Sequence, residues 1–533
     1  MSGFDVVIVG SGAAGLVAAL TAAERGLRPL VVEKSDLLGG STALSGGGLW
    51  VPGNSLLRGT DSAEAGLRYL AATAGADSSA QRQEVFVRRG PDMMSFLVKE
   101  GLRLKWAKGY PDYHPDLPGA STSGRCVEAS VIDGAKLGTW MSKLRLRASA
   151  IDVPLYTTEI RWLGLAKRTL RGFLTELWVT KIRKIGRNPA LTGGASLIGQ
   201  LVLLATRRGA EVWLNTTLTE LVVRDGRVTG VVVSKDGASQ QIDAESGVFL
   251  TAGGFSHNDA LRQRYQPHPT GTKWTNASPT DTGEVISMGI GLGAATALMD
   301  ESWWTPAVGL PNGFAAGTLR ERSFPGSIIV DAGGKRFMNE SMSYNECGHQ
   351  IYQRGTVPAW MIIDDQHRSW YPFVTFKPGD TPDTGILTRA GSIAELAAKI
   401  GLPSEALEQT VKRFNGFAAS GVDEDFKRGG NVYDRYYSDP RVRPNPNLSA
   451  LDTPPYYACK IYPGDLGTKS GLLTDEHARV VREDGSVIEG LYAAGNTSAS
   501  VMGRSYPGPG CTIGAAMVFA YLGAQHAGQR VAA

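Results

Sequence analysis

A chain of 533 residues is too long for one core and implies two or three domains. Its 42% apolar and 20% charged content is ordinary for a soluble globular protein, and a net charge of +4 over this length gives no reason to expect a nucleic-acid partner. Cys126, Cys347, Cys459 and Cys511 stand far apart, which argues against a disulfide framework or a cysteine metal site, and no uninterrupted apolar run of about 18 residues is present to span a membrane.

Phe4 to Val9 reads as a buried parallel strand, being short, β-branched and almost free of charge. No basic leader or cleavage site precedes it, so a cytoplasmic protein is expected. Gly10, Gly12 and Gly15, with Ala13 and Ala14 between them, follow at once and open a helical run. In such a turn the first glycine permits the bend, the second lets backbone approach a pyrophosphate, and the third lets helix and strand pack closely. A second strand, Leu27 to Val32, ends at Glu33 and Lys34, with Glu33 eighteen residues beyond Gly15. A carboxylate there can accept hydrogen bonds from a ribose 2′-OH. Strand, glycines, helix, second strand and acid fall in order and predict a dinucleotide site. The loop Gly39 to Gly48, with Gly40, Ser41, Thr42, Ser45, Gly46 and Gly47, resembles the second phosphate- and flavin-contacting loop of fumarate reductase-type flavoproteins. That likeness moves the expected cofactor from NAD to FAD.

From Arg161 to Arg187 there are eight Lys/Arg against the single Glu176. At helical spacing Trp162, Leu163, Leu170, Phe173, Leu174 and Leu177 share one face, with Arg161, Arg168 and Arg171 opposite. Such a basic amphipathic helix suits a membrane interface, and equally suits packing on its own domain. A helix is expected over Ala195 to Arg208, then strands over Glu211 to Leu214, Leu218 to Val223 and Val228 to Val233 around the turn at 224–226. Val248 begins a buried strand that runs into Gly253 and Gly254, and Val487 begins another that runs into Gly495 and Asn496. Ile513 to Ala527 reads as a final helix. These elements predict an α/β fold: a discontinuous, Rossmann-like FAD-binding domain over 1–305 and 467–533, with an inserted α+β substrate domain over 306–466.

The string from Ala499 to Gly514, containing Tyr506, Gly508 and Gly510, resembles the 3-ketosteroid Δ1-dehydrogenases. The likeness extends over nearly the full length, through Asn276 to Gly283, Arg336 to Glu340, Asp465 to Lys469 and Ala493 to Asn496. It implies 1,2-desaturation of a steroid A ring, with a proton leaving C2 and a hydride leaving C1 for flavin N5. The positions matching the family's carbonyl donors are the Tyr506 hydroxyl and the Gly510 N–H. Tyr344 matches its base, and Tyr113 matches the tyrosine that supports the base, with Tyr110 and His114 close by in sequence. The final helix, from about Ile513, is implied to point its N-terminus at the flavin. No His or Cys stands where a covalent flavin link is expected, so FAD is expected to be held non-covalently, with an external acceptor such as a quinone reoxidising it. Arg504, His268 and Cys511 are not assigned roles. The competing readings are a dicarboxylate reductase, which needs converging Arg and His in a chain with only seven His, a Δ4-type ketosteroid dehydrogenase, and a flavin-binding scaffold without activity.

Overall fold

Phe4–Val9 forms a strand because its β-branched residues fill both faces of a pleated ribbon, and Val6, Val7 and Ile8 are fully buried. In the computed structural model, which describes residues 3–146, 154–186, 188–311, 313, 315–381 and 384–529, this strand is central. It pairs in parallel with Pro29–Val32 on one side and Ala238–Leu250 on the other. Glu211–Trp213 extends the sheet at one end; Val487–Ala493 and then Arg479–Val481 extend it at the other. Alternation decides which face each residue serves. Val6, Ile8 and Val31 pack with the helices Ala13–Glu24, Gly193–Arg207 and Cys511–Gln529. Val7, Val9, Leu30 and Val32 pack against the antiparallel strands Thr216–Arg224 and Arg227–Lys235 and against Val285 and Ile286.

Ala238–Leu250 begins ten residues before the expected strand at Val248, because it serves two partners in succession. Its first half pairs antiparallel with Arg227–Lys235, and its second half enters the parallel sheet beside Phe4–Val9. A second sheet is antiparallel throughout, in the order Ala315–Gly317, Ser302–Gly309, Tyr456–Thr468, Ala359–Asp364, Ser327–Val330, with Thr388–Ala390 also on Tyr456–Thr468. Helices Ile393–Ile400 and Ser404–Ser420 contribute to a core with one set of its residues, while Cys347 and Ile351 of helix Tyr344–Gln353 pack with the other. The fold is therefore a largely parallel α/β sheet combined with an α+β section.

The single basic helix expected over 161–187 is instead two helices, Thr157–Leu163 and Leu170–Leu177, continued by the π-turn Trp178–Ile182; Arg187 lies outside the described residues. The chain breaks between them because Thr169 caps a new helix, its hydroxyl accepting from the Gly172 N–H at 2.9 Å, and Gly172 fits tightly against the Leu165 carbonyl. The cationic face also differs from expectation. Arg168 pairs with Asp439 at 2.8 Å and stacks on Trp370, and Arg161 lies between the rings of Trp162 and Tyr436. Both guanidiniums are thus bound within the protein. Leu170, Phe173, Leu174, Leu177, Trp178, Ile182 and Ile185 remain exposed. No helix among the described residues is long and apolar enough to cross a membrane.

Candidate active site

The first glycine turn has the shape the motif demands. Gly10 has φ +104°, and a side chain on it would lie 2.6 Å from the Thr251 carbonyl; one on Gly15 would lie 1.9 Å from the Gly10 carbonyl, so helix and strand meet at backbone contact. At Gly12 the nearest atom to such a side chain is the Thr42 hydroxyl at 3.7 Å, which leaves an open approach. The helix that follows has no side-chain cap and no acid in its first turn. The N–H groups of Gly12 and Ala14 have no acceptor among the described residues, and Ala13 donates weakly to Thr42 at 3.3 Å. Uncapped N–H groups behind an open glycine are a seat for phosphate, so the residues present fit a dinucleotide.

Glu33 is buried at the end of Pro29–Val32, where one oxygen accepts from the Ser11 N–H and hydroxyl at 3.1 and 2.7 Å and the other from the Ser35 N–H at 3.0 Å. Lys34 turns away to pair with Glu284 and the Thr282 hydroxyl. The loop from Gly39 is tightly held: Ser41 donates to Asp281 at 2.8 Å and accepts from the Ser278 N–H at 2.7 Å. Ser45 bonds the Thr42 carbonyl at 2.7 Å, the Gly47 N–H bonds the Ser45 hydroxyl at 3.0 Å, and Gly40 and Gly46 complete the turn. Burial raises Asp281 to about 7, against the opposing pull of Ser41 and Lys34. Gly253 abuts the Asp281 carboxyl, and Gly254 abuts the Thr468 hydroxyl. Gly495 lies beside Ala14, Asn496 accepts from the Trp303 indole at 3.0 Å, and Ile513 sits in the first turn of Cys511–Gln529. The two distant chain segments thus close on one another.

The three candidate tyrosines converge. Ring centroids lie 5.0 Å apart for Tyr344 and Tyr506, 5.2 Å for Tyr113 and Tyr344, and 5.4 Å for Tyr113 and Tyr506. The Tyr113 hydroxyl donates to that of Tyr344 at 3.1 Å. Each comes from its own scaffold. Tyr113 is fixed by its own N–H, which donates to the Pro507 carbonyl at 2.9 Å, and by neighbouring Asp112, which accepts from the Trp50 indole and pairs with the buried Arg125. Tyr344 begins helix Tyr344–Gln353, whose approach is gripped by Arg322 donating to the carbonyls of Glu340 and Met342. Arg336 binds both Glu340, at 2.8 Å, and Asp423, at 2.9 Å, so the Arg336 to Glu340 motif frames this turn. Tyr506 packs edge-on against Trp303 at 4.9 Å, and its hydroxyl accepts from Thr512 at 3.3 Å. Gly510, at φ +90°, leaves no room for a side chain against Gly48, and its N–H has no acceptor among the described residues.

Electrostatically the cluster is dry. Burial pushes the Tyr113, Tyr344 and Tyr506 phenols well above their ordinary value. For Tyr344 the neighbouring Tyr506 adds to the rise, while the Tyr113 hydroxyl acts in the opposite direction. Arg504 turns away from the rings, pairing with Asp300 and Glu301 at 2.8 Å.

Several members were not foreseen. Tyr110 bonds Tyr113 at 3.3 Å, and Tyr437 donates to Tyr110 at 3.1 Å, so four phenols form one chain ending at Tyr344. Tyr436 stacks on Tyr110 at 4.4 Å, and Tyr433 lies 4.8 Å from Tyr113. For Tyr110 the sequence signal was its place three residues before Tyr113, and for the others the run Tyr433-Asp-Arg-Tyr436-Tyr437, neither of which says where the rings go.

Comparison with known proteins shows the family. The model of the FAD binding domain family matches residues 5–513. The 3-oxosteroid 1-dehydrogenase of Mycobacterium tuberculosis is 46% identical, with 98% of each chain covered, and that of Mycolicibacterium smegmatis is also 46% identical, covering 98% of this chain and 96% of the relative. The crystal structure of 3-ketosteroid delta1-dehydrogenase from Sterolibacterium denitrificans in complex with 1,4-androstadiene-3,17-dione matches with a TM-score of 0.94 at 37% identity, covering 99% of this chain and 100% of that one. A glycine cradle closed by its own C-terminal helix, three tyrosines meeting beside it, and these likenesses over the whole chain place the protein in the FAD-dependent 3-oxosteroid 1-dehydrogenase family.

Proposed function

We propose that this enzyme desaturates the C1–C2 bond of a 3-ketosteroid A ring with Tyr344 as base, Tyr113 as its support, and Tyr506 with the Gly510 N–H as donors to the C3 ketone. The observation that carries the reading is the meeting of three phenols, with the Tyr113 hydroxyl 3.1 Å from that of Tyr344. Bound FAD, held by the cradle around Gly10, Gly12, Ala14, Glu33, Ser41 and Gly495, supplies the acceptor for the hydride that leaves C1. Tyr506 and Gly510 bind the ketone oxygen and stabilise the charge it gains as C2 is deprotonated. Tyr344 receives the C2 proton on its hydroxyl oxygen as a phenolate, and Tyr113 steadies that phenolate by donating to it. Tyr110 and Tyr437 continue the hydroxyl chain behind Tyr113. The aromatic walls exclude water and suit a flat alicyclic ring system. Division into 1–305 with 467–533 as the FAD-binding part and 306–466 as the substrate part accompanies this reading.

Anaerobic mixing with a 3-ketosteroid is expected to bleach the flavin within the dead time or shortly after. An unbleached spectrum, or reoxidation of the reduced protein by fumarate, would instead favour a scaffold or a dicarboxylate reductase. The latter needs guanidiniums at the ketone position, whereas Arg504 is bound to Asp300 and Glu301.

A second reading concerns location. Leu170 and Ile185 are 74% and 73% exposed, and between them Phe173, Leu174, Leu177, Trp178 and Ile182 also face out while Val179 is buried, with Arg171 and Lys181 exposed in the same stretch. Exposed apolar side chains with cations in the same stretch fit the interface of an anionic membrane, where a lipid-soluble steroid and a quinone-type acceptor for the reduced flavin both reside. Sedimentation with vesicles containing anionic lipid, and not with neutral ones, is the expected result; no sedimentation with either removes this reading.

A further inference from the structure

Lys469 is fully buried and directs all its donors at neutral oxygens. Its Nζ donates to the Arg504 carbonyl at 2.8 Å, to the Ser505 carbonyl at 2.9 Å, and to Asn345 Oδ1 at 3.5 Å. The Arg504 carbonyl also accepts from Asn345 Nδ2 at 3.1 Å. Asn345 follows Tyr344 in the first turn of its helix, and Arg504 and Ser505 lead into Tyr506. The same Nζ lies 4.5 Å from the centre of the Trp303 ring, and that ring packs edge-on against Tyr506. One ammonium therefore touches, through hydrogen bonds or an aromatic face, both segments that bear the reacting tyrosines. They lie 124 and 35 residues from it in the chain.

We propose that Lys469, together with Asn345, is a positioning residue that sets the separation of Tyr344 and Tyr506, so that the base and the carbonyl donor engage the same ring. The inference rests on the roles proposed above for those two tyrosines. Burying an ammonium is unfavourable. Here burial lowers Lys469 to about 8, with Glu301 and Glu346 opposing the shift and Arg504 adding to it. An unbranched apolar side chain would fill the same space without that cost. What it would lack is a tip with three donors, able to gather oxygens from two separate segments. Arginine does not substitute, because its planar fork spreads its donors apart instead of converging them.

The test uses the FAD-loaded protein and four forms: wild type, Lys469→Met, Tyr506→Phe and the double variant, each assayed for flavin reduction by a 3-ketosteroid and for Tm. Tyr506→Phe is expected to slow reduction by about 10²–10³-fold, and Lys469→Met by roughly 10–100-fold through misplacement of the same hydroxyl. If Lys469 acts through Tyr506, the double variant is at most about threefold slower than Tyr506→Phe alone, because coupled groups are non-additive. Multiplication of the two losses, or a wild-type rate in Lys469→Met, overturns the inference and leaves the tyrosine roles standing. A wild-type rate in Tyr506→Phe overturns the role of Tyr506 and the inference with it. Should Lys469→Met fail to retain FAD, Asn345→Leu cuts the same link from the helix side, and the same comparison with Tyr506→Phe decides.

Discussion

The tyrosine cluster and the helix pair Thr157–Leu163 and Leu170–Leu177 meet at Arg161 of the first helix, whose guanidinium lies over Tyr436 of the cluster and over Trp162 of its own helix. On the tyrosine side no ring is more than 6% exposed, and four of the hydroxyls are strung together. On the helix side Leu170, Phe173, Leu174 and Leu177 face outward, uncovered by any of the described residues. Both regions pair apolar bulk with polar tips. In one the tips are turned inward, into a buried enclosure; in the other the bulk is turned outward.

The comparison is tested most severely at Tyr344. Replacing it with Phe keeps the packing and removes the proton acceptor, and flavin reduction in stopped flow is expected to fall by about 10²–10⁴-fold with FAD content unchanged. Retention of the wild-type rate would strip the cluster of its chemical meaning. The next effect is on pH. Because burial holds Tyr344 well above its ordinary value, its phenolate is the minor form at neutral pH, and the rate is expected to climb about tenfold per unit from roughly pH 6 to 8. Tyr113→Phe removes a contribution that lowers that value, so its rates should fall throughout and its plateau move further alkaline. A flat profile in the wild type would point to another base.

On the outward side, Leu170→Glu combined with Phe173→Glu is expected to abolish vesicle binding while changing stability by no more than about 0.5 kcal/mol per site, as read by denaturant unfolding. The smallest effect is expected at Tyr436, whose hydroxyl is buried with no hydrogen-bond partner among the described residues. Tyr436→Phe retains the stack on Tyr110 and relieves that hydroxyl, so the protein should be unchanged or more stable by about 1 kcal/mol. A loss of several kcal/mol would mean that the hydroxyl is hydrogen-bonded in the folded protein.

What sequence disclosed about these regions follows from how locally each is built. Gly10, Gly15 and Glu33 were legible because strand, turn and helix over some thirty consecutive residues impose their spacing, whatever the rest of the chain does. The meeting of Tyr113, Tyr344 and Tyr506 was expected only through family likeness, since no local rule brings together residues hundreds of positions apart. Tyr110 and Tyr437 were missed for the same reason: a hydroxyl's partner is decided by tertiary packing. The break after Leu163 was missed because facial periodicity continues across it, while the cap at Thr169 that starts a new helix is a matter of one hydroxyl. Arg161 and Arg168 were expected opposite the apolar stripe, and helical phase does not reveal that Asp439, Trp370 and Tyr436 await them there.

The bond from the Tyr113 N–H to the Pro507 carbonyl has a consequence for biosynthesis. Tyr113 is translated well before the carbonyl that orients it, the helix Cys511–Gln529 and the strand Val487–Ala493 that completes the parallel sheet. A nascent polypeptide halted short of them has neither a finished seat for the flavin nor a fixed tyrosine. The flavin seat and the tyrosine cluster are therefore completed together, when this later segment docks on the earlier one.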